Sequence, residues 1–457
     1  MNAHPQTPVL VIGAGISGLA TAYFLHRKGV PVRVLEAAPG VGGCVSTLRQ
    51  DGWLIERGPN STLDNTPALG ELIRALGLEG AVLEANPLAK RRYVVRKGKT
   101  LALPGSPLDF LRTPLFSAMD KLRLLKEPFV GRSEEDETLA AFVRRRLGPG
   151  FLDWAIDPFV SGVYAGDPAR LSVRAAVPKV WQLEQAHGSL IRGALVRLRA
   201  RRQEGLQTGP VGRMLSFVQG MEMLPAAMGR ALGDAVETGV SVERMEPIPS
   251  GWRVLAGARS WEASQVILAV PAYAAARLLA GLDASLAGEL AGIHYPPVAS
   301  VALGFPRVAV EHPLDGFGCL IPSREGRRTL GALFSTTLFP ERAPDGHVLL
   351  TAFIGGRRHA VALDQDDAGL VEEVVSDLTP ILGLQGRPDH VRVRRWPQAI
   401  PQYEMGHLER IARIDERLAH WPGLHTRANW RDGISVSDCV RNAHALAERL
   451  AEEQSAG

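Results

Sequence analysis

Three glycines near the start of the chain have types and spacing that could do chemistry. Gly13, Gly15 and Gly18 form the pattern G-x-G-x-x-G between an apolar segment (9–12), predicted to be a strand, and a predicted helix from Leu19 to Lys28. In such a pattern the glycines permit a tight turn, let backbone amides approach a pyrophosphate, and let the helix pack on the strand. The partial positive charge of the helix N-terminus favours phosphate there. The spacing therefore predicts a dinucleotide site.

An acidic residue follows at the position that such a site requires. A second predicted strand (32–35) ends at Glu36, whose carboxylate could accept hydrogen bonds from ribose hydroxyls. NAD and FAD share this fingerprint, so the fingerprint does not decide between them. The pair Gly42 and Gly43 favours FAD, because it allows a second close approach of backbone to a cofactor that stays bound.

The segment 432–436 gives a second indication of FAD. It opens the last predicted helix (435–451), whose N-terminal amides could face the electron-rich edge of a flavin. An ordinary helix start, with Asp432 or Ser435 as the cap, stays open as the alternative.

Composition limits the function classes. The chain has 457 residues, of which 46% are hydrophobic and 22% charged, a globular composition on more than one core. A net charge of +4 is too small to indicate nucleic-acid binding. Cys44, Cys319 and Cys439 are too far apart for a disulfide framework or zinc cluster. Without a signal peptide or a spanning apolar segment, we expect a cytoplasmic protein with at most peripheral contact with the inner face of the membrane.

Periodicity and turn residues predict a mixed α/β, multi-domain fold whose chain leaves the nucleotide-binding unit and returns to it twice. A Rossmann-like FAD domain would be joined to a mixed-sheet substrate domain and a helical domain. We expect a strand at 240–242, a surface loop at 197–213, and breaks in the helical domain at Pro114, Gly148, Pro158 and Pro168. The predicted domain segments are FAD-binding 1–90, 206–280 and 401–457, substrate-side 91–106 and 281–400, and helical 107–205.

Four further stretches carry a family resemblance. They are Phe159–Ser172, Ser335–Pro344, Trp396–His407 and Gly433–Asn442, and they extend over much of the chain. With these, the chain resembles the flavin amine oxidase superfamily and, within it, the protoporphyrinogen oxidase family.

The resemblance implies FAD held without covalent attachment and without a metal. The positions that match cofactor contacts of the family are Gly13, Ala14, Gly15, Ile16, Ser17, Gly18, Glu36, Ala37, Gly43, Gly58, Pro59, Asn60, Ser61, Val242, Trp396, Ile434, Ser435 and Val436.

The resemblance also implies a reaction. Protoporphyrinogen IX would be oxidised to protoporphyrin IX in three two-electron steps, with oxygen as acceptor and hydrogen peroxide released. Arg92 matches a position that pairs with a substrate propionate, Leu320 and Phe339 match positions that sandwich the ring, and Gly166 matches a glycine near the reacting edge. The flavin does the chemistry, so we name no catalytic side chain. His187, His294 and His407 are expected to be packing or surface residues.

Other functions stay open at this point. A relative that oxidises coproporphyrinogen III would need to bind four propionates, and a second group of cations beside Arg92 would favour it. An amine oxidase is disfavoured, since those enzymes use a flavin-proximal lysine from the second half and no lysine follows Lys179. A non-enzymatic flavoprotein would rest on two departures from the family pattern: Gly40 replaces an arginine, and Ala428 replaces a glycine. We expect no nucleic-acid partner, with membrane contact through the helical region and a homodimer as open expectations.

Overall fold

The computed structural model describes residues 7–203 and 212–456. Its strands are β1 Thr7–Ile12, β2 Val32–Glu36, β3 Thr47–Gln50, β4 Trp53–Glu56, β5 Thr62–Asp64, β6 Val82–Glu84, β7 Tyr93–Arg96, β8 Lys99–Ala102, β9 Arg213–Phe217, β10 Val236–Thr238, β11 Arg244–Ile248, β12 Gly251–Ala256, β13 Arg259–Leu268, β14 Val298–Pro306, β15 Gly318–Leu320, β16 Thr329–Phe334, β17 His347–Gly355, β18 His390–Trp396 and β19 Leu424–Thr426. Its α-helices are α1 Ile16–Arg27, α2 Pro67–Ala75, α3 Pro107–Arg112, α4 Ala118–Leu124, α5 Leu139–Arg146, α6 Pro149–Phe151, α7 Asp157–Tyr164, α8 Val173–Ala176, α9 Pro178–His187, α10 Leu190–Gln203, α11 Met223–Leu232, α12 Ala272–Leu279, α13 Ala284–Ala291, α14 Ser335–Leu338, α15 Asp367–Leu382, α16 His407–Leu418, α17 Asn429–Asp432 and α18 Val436–Ala456.

The first sheet is built from segments that are distant in sequence. Its order is β10-β2-β1-β13-β12-β11, with β19 beside the carboxyl half of β13. The strands β10, β2, β1, β13 and β19 run parallel, whereas β12 pairs antiparallel with both β13 and β11. Helices α1 and α18 pack together on one face of the parallel part. The mixed α/β architecture is therefore as predicted, with the chain returning to this sheet at β13 and β19.

The second sheet has the order β18-β14-β17-β16-β15-β7-β8. Its two faces differ. Helix α15 covers one face, where alternate residues of these strands form an apolar core with it. We call the opposite face, which is turned toward the β3–β4 hairpin and the helical region, the site face. The hairpin predicted to turn at Lys97 and Gly98 is β7–β8, and both turn residues have positive φ.

The helical region differs from the prediction at one break. Residues 149–164 form a continuous helix through Pro158, because a widened π-helical turn, Leu152–Ile156, precedes the proline. A π turn shifts the hydrogen-bond pattern locally, so the missing N–H of proline does not interrupt the helix.

Two other segment predictions are corrected. The strand expected at 240–242 lies earlier, at β10, because Gly239 has φ +72° and turns the chain out of the sheet. Within the loop expected at 197–213, residues 197–203 continue α10 instead, and 204–211 lie outside the described residues. The first helix also starts three residues earlier than predicted, at Ile16. No described helix is long and apolar enough to cross a membrane.

A buried ionic network holds the helical region together. Glu127 accepts hydrogen bonds from the Ser189 hydroxyl (2.5 Å) and the Leu190 amide (2.9 Å) at the start of α10, and from Arg146 (3.1 Å). Arg146 also pairs with Glu184 at 2.5 Å, and Glu127, Arg146 and Glu184 are all fully buried. The network therefore ties α5, α9 and α10 to one another.

Removing the cation from this network should be costly. We expect Arg146→Met to lower the free energy of unfolding by about 3–5 kcal/mol, because Glu127 would stay buried without a cation and Glu184 would keep only its pair with Arg145. Urea unfolding followed by circular dichroism measures this. The control is Arg244→Gln, which breaks an exposed pair with Glu246 and should cost under about 1 kcal/mol. Equal, small effects of the two substitutions would contradict the prediction.

Candidate functional site

The glycine fingerprint forms a turn between β1 and α1. Gly13 has φ +102°, a conformation that side chains disfavour, and its amide donates to the carbonyl of Leu35 (2.8 Å). A side-chain carbon on Gly18 would lie 2.0 Å from the Gly13 carbonyl oxygen, so glycine is required for α1 to approach the turn. By contrast, a side-chain carbon on Gly15 would meet no protein atom within 4 Å. The open space at Gly15 lies at the N-terminus of α1, which has no side-chain cap.

Glu36 closes one side of this turn. Its carboxylate accepts hydrogen bonds from the backbone amides of Ala14 (2.6 Å) and Ala38 (2.8 Å). These bonds hold the side chain at the end of β2 beside the glycine turn, with Ala37 exposed next to it. A carboxylate oxygen accepts more than one hydrogen bond, so Glu36 can also bind hydroxyls.

The loop after Glu36 crosses the glycine turn and meets a second loop. Gly42 donates to the Ala14 carbonyl (2.8 Å), and a side-chain carbon on Gly43 would lie 3.2 Å from Gly15. A side-chain carbon on Gly58 would lie 1.9 Å from the Cys44 carbonyl oxygen. This crossing supplies a packing reason for glycine at position 58, and it brings Pro59, Asn60 and Ser61, all half-buried, into the same region.

Cys44 lies where these two loops cross. Its side chain is exposed to solvent, yet desolvation by the surrounding protein raises the pKa of its thiol. The open space beside Gly15 and the exposed side chain of Cys44 are therefore both available to a ligand that contacts these loops.

The start of α18 lies near the same place. Gly433 has φ +146°, and the Ser435 hydroxyl accepts a hydrogen bond from the Asp438 amide (3.1 Å). Ser435 is therefore the cap of this helix, as the alternative interpretation proposed. Burial raises the pKa of the neighbouring Cys439 thiol to about 12, and Cys439 also interacts with Ser17 of α1. This contact places the half-buried Ile434 and the buried Val436 close to the glycine turn.

Comparison with known proteins agrees with this geometry. The family model for flavin-containing amine oxidoreductases matches residues 16–451. The chain belongs to this family. It is 34% identical over 469 residues to a chloroplastic protoporphyrinogen oxidase of Nicotiana tabacum, covering 96% of this chain and 85% of that protein. It is 31% identical over 460 residues to a coproporphyrinogen III oxidase of Bacillus subtilis (strain 168), covering 96% of each chain.

A solved structure gives the same result. A proposed protoporphyrinogen oxidase from Exiguobacterium sp. 255-15 has a TM-score of 0.84 and 26% identity, covering 99% of this chain and 100% of that one. The chain is thus a flavin-dependent oxidoreductase with FAD as its cofactor. The open glycine turn and the acceptor at Glu36 fit this cofactor. Non-covalent attachment and the individual contacts stay predictions.

Two of the residues predicted to bind substrate lie on the site face. Arg92 directly precedes β7, is exposed, and holds its guanidinium 5.3 Å from the centre of the Phe317 ring. No carboxylate pairs with Arg92 among the described residues, whereas the neighbouring Arg91 pairs with Asp315. Leu320 is half-buried on β15 and packs against Gly162 of α7, where a side-chain carbon would be 2.4 Å from it.

The other two predicted substrate residues are buried. Phe339 is 2% exposed and packs with Ala89 and Leu338, under the guanidinium of Arg342 at 5.3 Å. Gly166 leaves no room for a side chain, because the Gln402 amide oxygen lies 2.6 Å from where its first carbon would be. The structure thus supplies packing reasons for both residues, and direct contact with substrate stays a prediction for each.

The last two residues predicted to contact the cofactor, Trp396 and Val242, lie at different sheets. Trp396 ends β18, and its indole N–H donates to the Arg57 carbonyl (3.1 Å), which joins the second sheet to the 58–61 loop. Val242 packs at the edge of the first sheet's core, in irregular chain after β10.

The sequence analysis missed charged groups at the site. Arg57 and Arg394 both adjoin Trp396, and Arg342 forms a buried pair with Glu56 (3.6 Å) directly before the 57–61 loop. The alternation Arg394-x-Trp396 along β18 places these two side chains on one face, but nothing in the local sequence reveals Arg57 or Arg342 as their neighbours.

His407 is a packing residue, as predicted. Burial lowers the pKa of His407 to about 4, so this side chain is neutral at pH 7 and stacks on Tyr403 at 4.3 Å. No group of acidic, histidine and cysteine residues in the described chain could hold a metal.

The two departures from the family pattern impose no strain. Ala428 is extended, with φ −150° and ψ 168°, so this position does not require glycine. Gly40 is exposed, and a side-chain carbon there would meet nothing within 4 Å.

An arginine should therefore fit at position 40. We expect Gly40→Arg to tighten FAD binding severalfold at low salt, because a cation beside the phosphates adds a screened attraction. Isothermal titration of the apoprotein with FAD, at low and high ionic strength, measures this. Gly40→Gln is the control with similar bulk and no charge, and an equal gain in that variant would contradict the electrostatic explanation.

Proposed function

We propose that this flavoenzyme oxidises a porphyrinogen to the corresponding porphyrin, with protoporphyrinogen IX as the main substrate. The observation that supports this most strongly is the site face, which is mostly apolar and has at its margin an arginine, Arg92, without a carboxylate partner among the described residues. Such a surface suits a large apolar ring with propionates. The names of the relatives with 31–35% identity agree with this substrate class.

The protein's part in this reaction is binding and orientation. FAD accepts the electrons, and oxygen as the final acceptor would yield hydrogen peroxide. Leu320 and its neighbours would hold the ring by apolar contact, while Arg92 would bind a propionate and set the ring's position against the cofactor. The six hydrogens lost come from the four bridging carbons and two of the four pyrrole nitrogens, as three hydride equivalents and three protons that solvent would accept, and no side chain is assigned as a general base.

Coproporphyrinogen III is the second candidate. The Bacillus subtilis relative carries that name, and the structure shows a second group of cations, Arg57 and Arg394, at the site. These cations lie near Trp396 and not beside Arg92, where the sequence analysis placed the group that would favour this substrate.

A direct assay tests the proposed function. The purified, FAD-loaded protein is incubated in air with protoporphyrinogen IX and, in parallel, with coproporphyrinogen III. We expect fluorescent porphyrin and hydrogen peroxide, produced faster than in the protein-free control. A yellow protein that is inert toward both substrates would contradict the function.

We also propose peripheral contact with a membrane through the helical region. Helices α3 and α4 and the turn after them expose large apolar side chains beside Arg112 and Lys126: Leu108, Leu111, Met119, Leu122, Leu125 and Phe129, each between 54% and 83% exposed. An apolar patch flanked by cations suits an anionic lipid surface. A cytoplasmic location at the inner membrane face and a homodimer also stay predictions.

Vesicle binding tests the contact. Phe129→Gln should reduce co-sedimentation with vesicles of mixed neutral and anionic lipid severalfold, because it removes the most exposed apolar side chain of the patch. Val308→Gln, at a 90% exposed site elsewhere, is the control. Equal sedimentation of both variants and the wild type would contradict the contact.

A further inference from the structure

Arg57 and Arg394 both adjoin Trp396. Neither forms an ion pair with another described residue, and the Nε of Arg394 is buried with no hydrogen-bond acceptor. The guanidinium of Arg394 lies 4.4 Å from the centre of the Trp396 ring, and the Trp396 indole binds the Arg57 backbone. Desolvation and the charge of Arg57 both lower the pKa of Arg394. An anion between the two arginines would remove the repulsion and satisfy the buried donor.

The position of this pair is defined by the second sheet. Along β18, Val391 and Val393 pack into the α15 core and Arg395 binds Asp367 of α15. Because side chains alternate along a strand, Arg394 and Trp396 lie on the site face.

Arg92 lies near the other margin of the same face. Tyr93 and Val95 of β7 point into the α15 core and Val94 points away from it, so Arg92 continues on the side of Val94. Strands β14, β17, β16 and β15 separate β18 from β7, which places the two backbones roughly 24 Å apart at the usual strand spacing.

The surface between these two margins is apolar or small. The side chains that alternate away from the α15 core include Ser300 on β14, Phe353 on β17, Gly331 on β16 and Leu320 on β15. The site face is therefore wide, mostly apolar, and provided with cations at two opposite margins. A flat ring that carries carboxylates on only one edge could bind the cations of one margin but not those of both.

We propose that Arg57 and Arg394 bind a carboxylate on the edge of the tetrapyrrole opposite the edge held by Arg92. This inference rests on the proposed function and adds to it a determinant of substrate choice. Coproporphyrinogen III has propionates on all four rings and can reach both margins, whereas the two propionates of protoporphyrinogen IX are on one side. The pair should therefore raise kcat/KM for coproporphyrinogen III above its value in a protein that lacks the pair, and leave kcat/KM for protoporphyrinogen IX nearly unchanged.

The test compares two substrates in matched variants. Arg57→Gln, Arg394→Gln and the double substitution are prepared with FAD bound. The control is Arg392→Gln, on the same strand and face, whose side chain already binds Gln50 (2.6 Å). For each protein, kcat/KM is measured with coproporphyrinogen III and protoporphyrinogen IX. The affinities for the product porphyrins are measured by fluorescence quenching, which needs no turnover.

The inference predicts a change in a ratio. The ratio of kcat/KM for coproporphyrinogen III to kcat/KM for protoporphyrinogen IX should fall about tenfold or more in each variant. The corresponding ratio of affinities for the two product porphyrins should fall likewise, and both ratios should stay unchanged in the control. Arg394→Lys should lower the same ratio by less, because lysine retains the positive charge but cannot form bidentate hydrogen bonds to a carboxylate.

Other outcomes overturn it. An unchanged ratio together with weaker FAD binding or a shifted flavin potential would assign the pair to an anionic oxygen of the cofactor. An unchanged ratio with no such change would assign no anion to the pair. A wild type inert toward both substrates would instead overturn the proposed function, so the two failures are distinguishable.

Discussion

Gly15→Ala should yield a folded protein that binds little FAD. The backbone at Gly15 has φ −72° and ψ 178°, which alanine tolerates, and the added methyl group would meet no protein atom within 4 Å. The methyl group would instead occupy the space beside the start of α1 where the pyrophosphate is predicted to lie. We expect FAD affinity to fall about 10- to 100-fold, from an overpacking cost of about 1–3 kcal/mol. The flavin-to-protein absorbance ratio of the purified variant and titration of the apoprotein measure the loss.

Gly18→Ala is the matched control for this prediction. Its methyl group would lie 2.0 Å from the Gly13 carbonyl oxygen and 3.0 Å from the Ala269 side chain, so the protein itself must shift. Melting of the two apoproteins should therefore separate them, with Gly15→Ala close to the wild type and Gly18→Ala clearly lower. If Gly15→Ala retains full FAD affinity, the pyrophosphate does not lie at the open side of this turn.

Arg92→Ala should lose substrate binding and retain FAD. Arg92 is exposed, is stacked on Phe317, and lacks a carboxylate partner among the described residues, so its removal leaves no buried charge behind. A charge-assisted hydrogen bond to a propionate contributes about 1.5–3 kcal/mol, which corresponds to a loss of about 10- to 100-fold in kcat/KM. Steady-state kinetics with each porphyrinogen and the flavin absorbance of the variant give the two readouts.

The neighbouring Arg91 provides the control. It pairs with Asp315, which also accepts a hydrogen bond from the Tyr93 hydroxyl (2.6 Å). Because its charge is already compensated, Arg91→Ala should leave kcat/KM within a few fold of the wild type. Loss of FAD from Arg92→Ala would show that this arginine lies at the cofactor, and equal kinetics for both variants would remove Arg92 from the substrate site.

Short-range features of the sequence were enough to predict the glycine turn. The positive φ at Gly13, the packing at Gly18 and the acid that ends β2 are requirements of short segments, and the spacing of these residues reports them directly. The same holds for the hairpin at Lys97 and Gly98, where two successive positive φ values mark the turn. The mixed α/β class followed from the alternation of such segments.

Predictions from local sequence failed, or missed the physical reason for a residue, where contacts with another element determined the structure. Pro158 was predicted to break a helix, but the π-helical turn before it allows the helix to continue. Gly166 and Gly58 could be matched to functional positions from their sequence context, yet what surrounds each glycine is a distant group, the Gln402 amide or the Cys44 carbonyl. Burial of Phe339 under Arg342 likewise depends on elements far apart in the chain.

The sequence by itself determined the glycine turn and the acid beside it, and it gave the family resemblance that the match to flavin-containing amine oxidoreductases confirms. Only the tertiary structure decided which charged groups share a surface. Arg92, Arg57 and Arg394 lie on three distant segments, and strand order and side-chain alternation in the second sheet place Arg92 and Arg394 on one face. The physical reason is that φ preferences and residue spacing act within a few residues, whereas strand pairing depends on many weak contacts between segments that are far apart in the sequence. No short stretch of sequence specifies which of these segments become neighbours in a sheet.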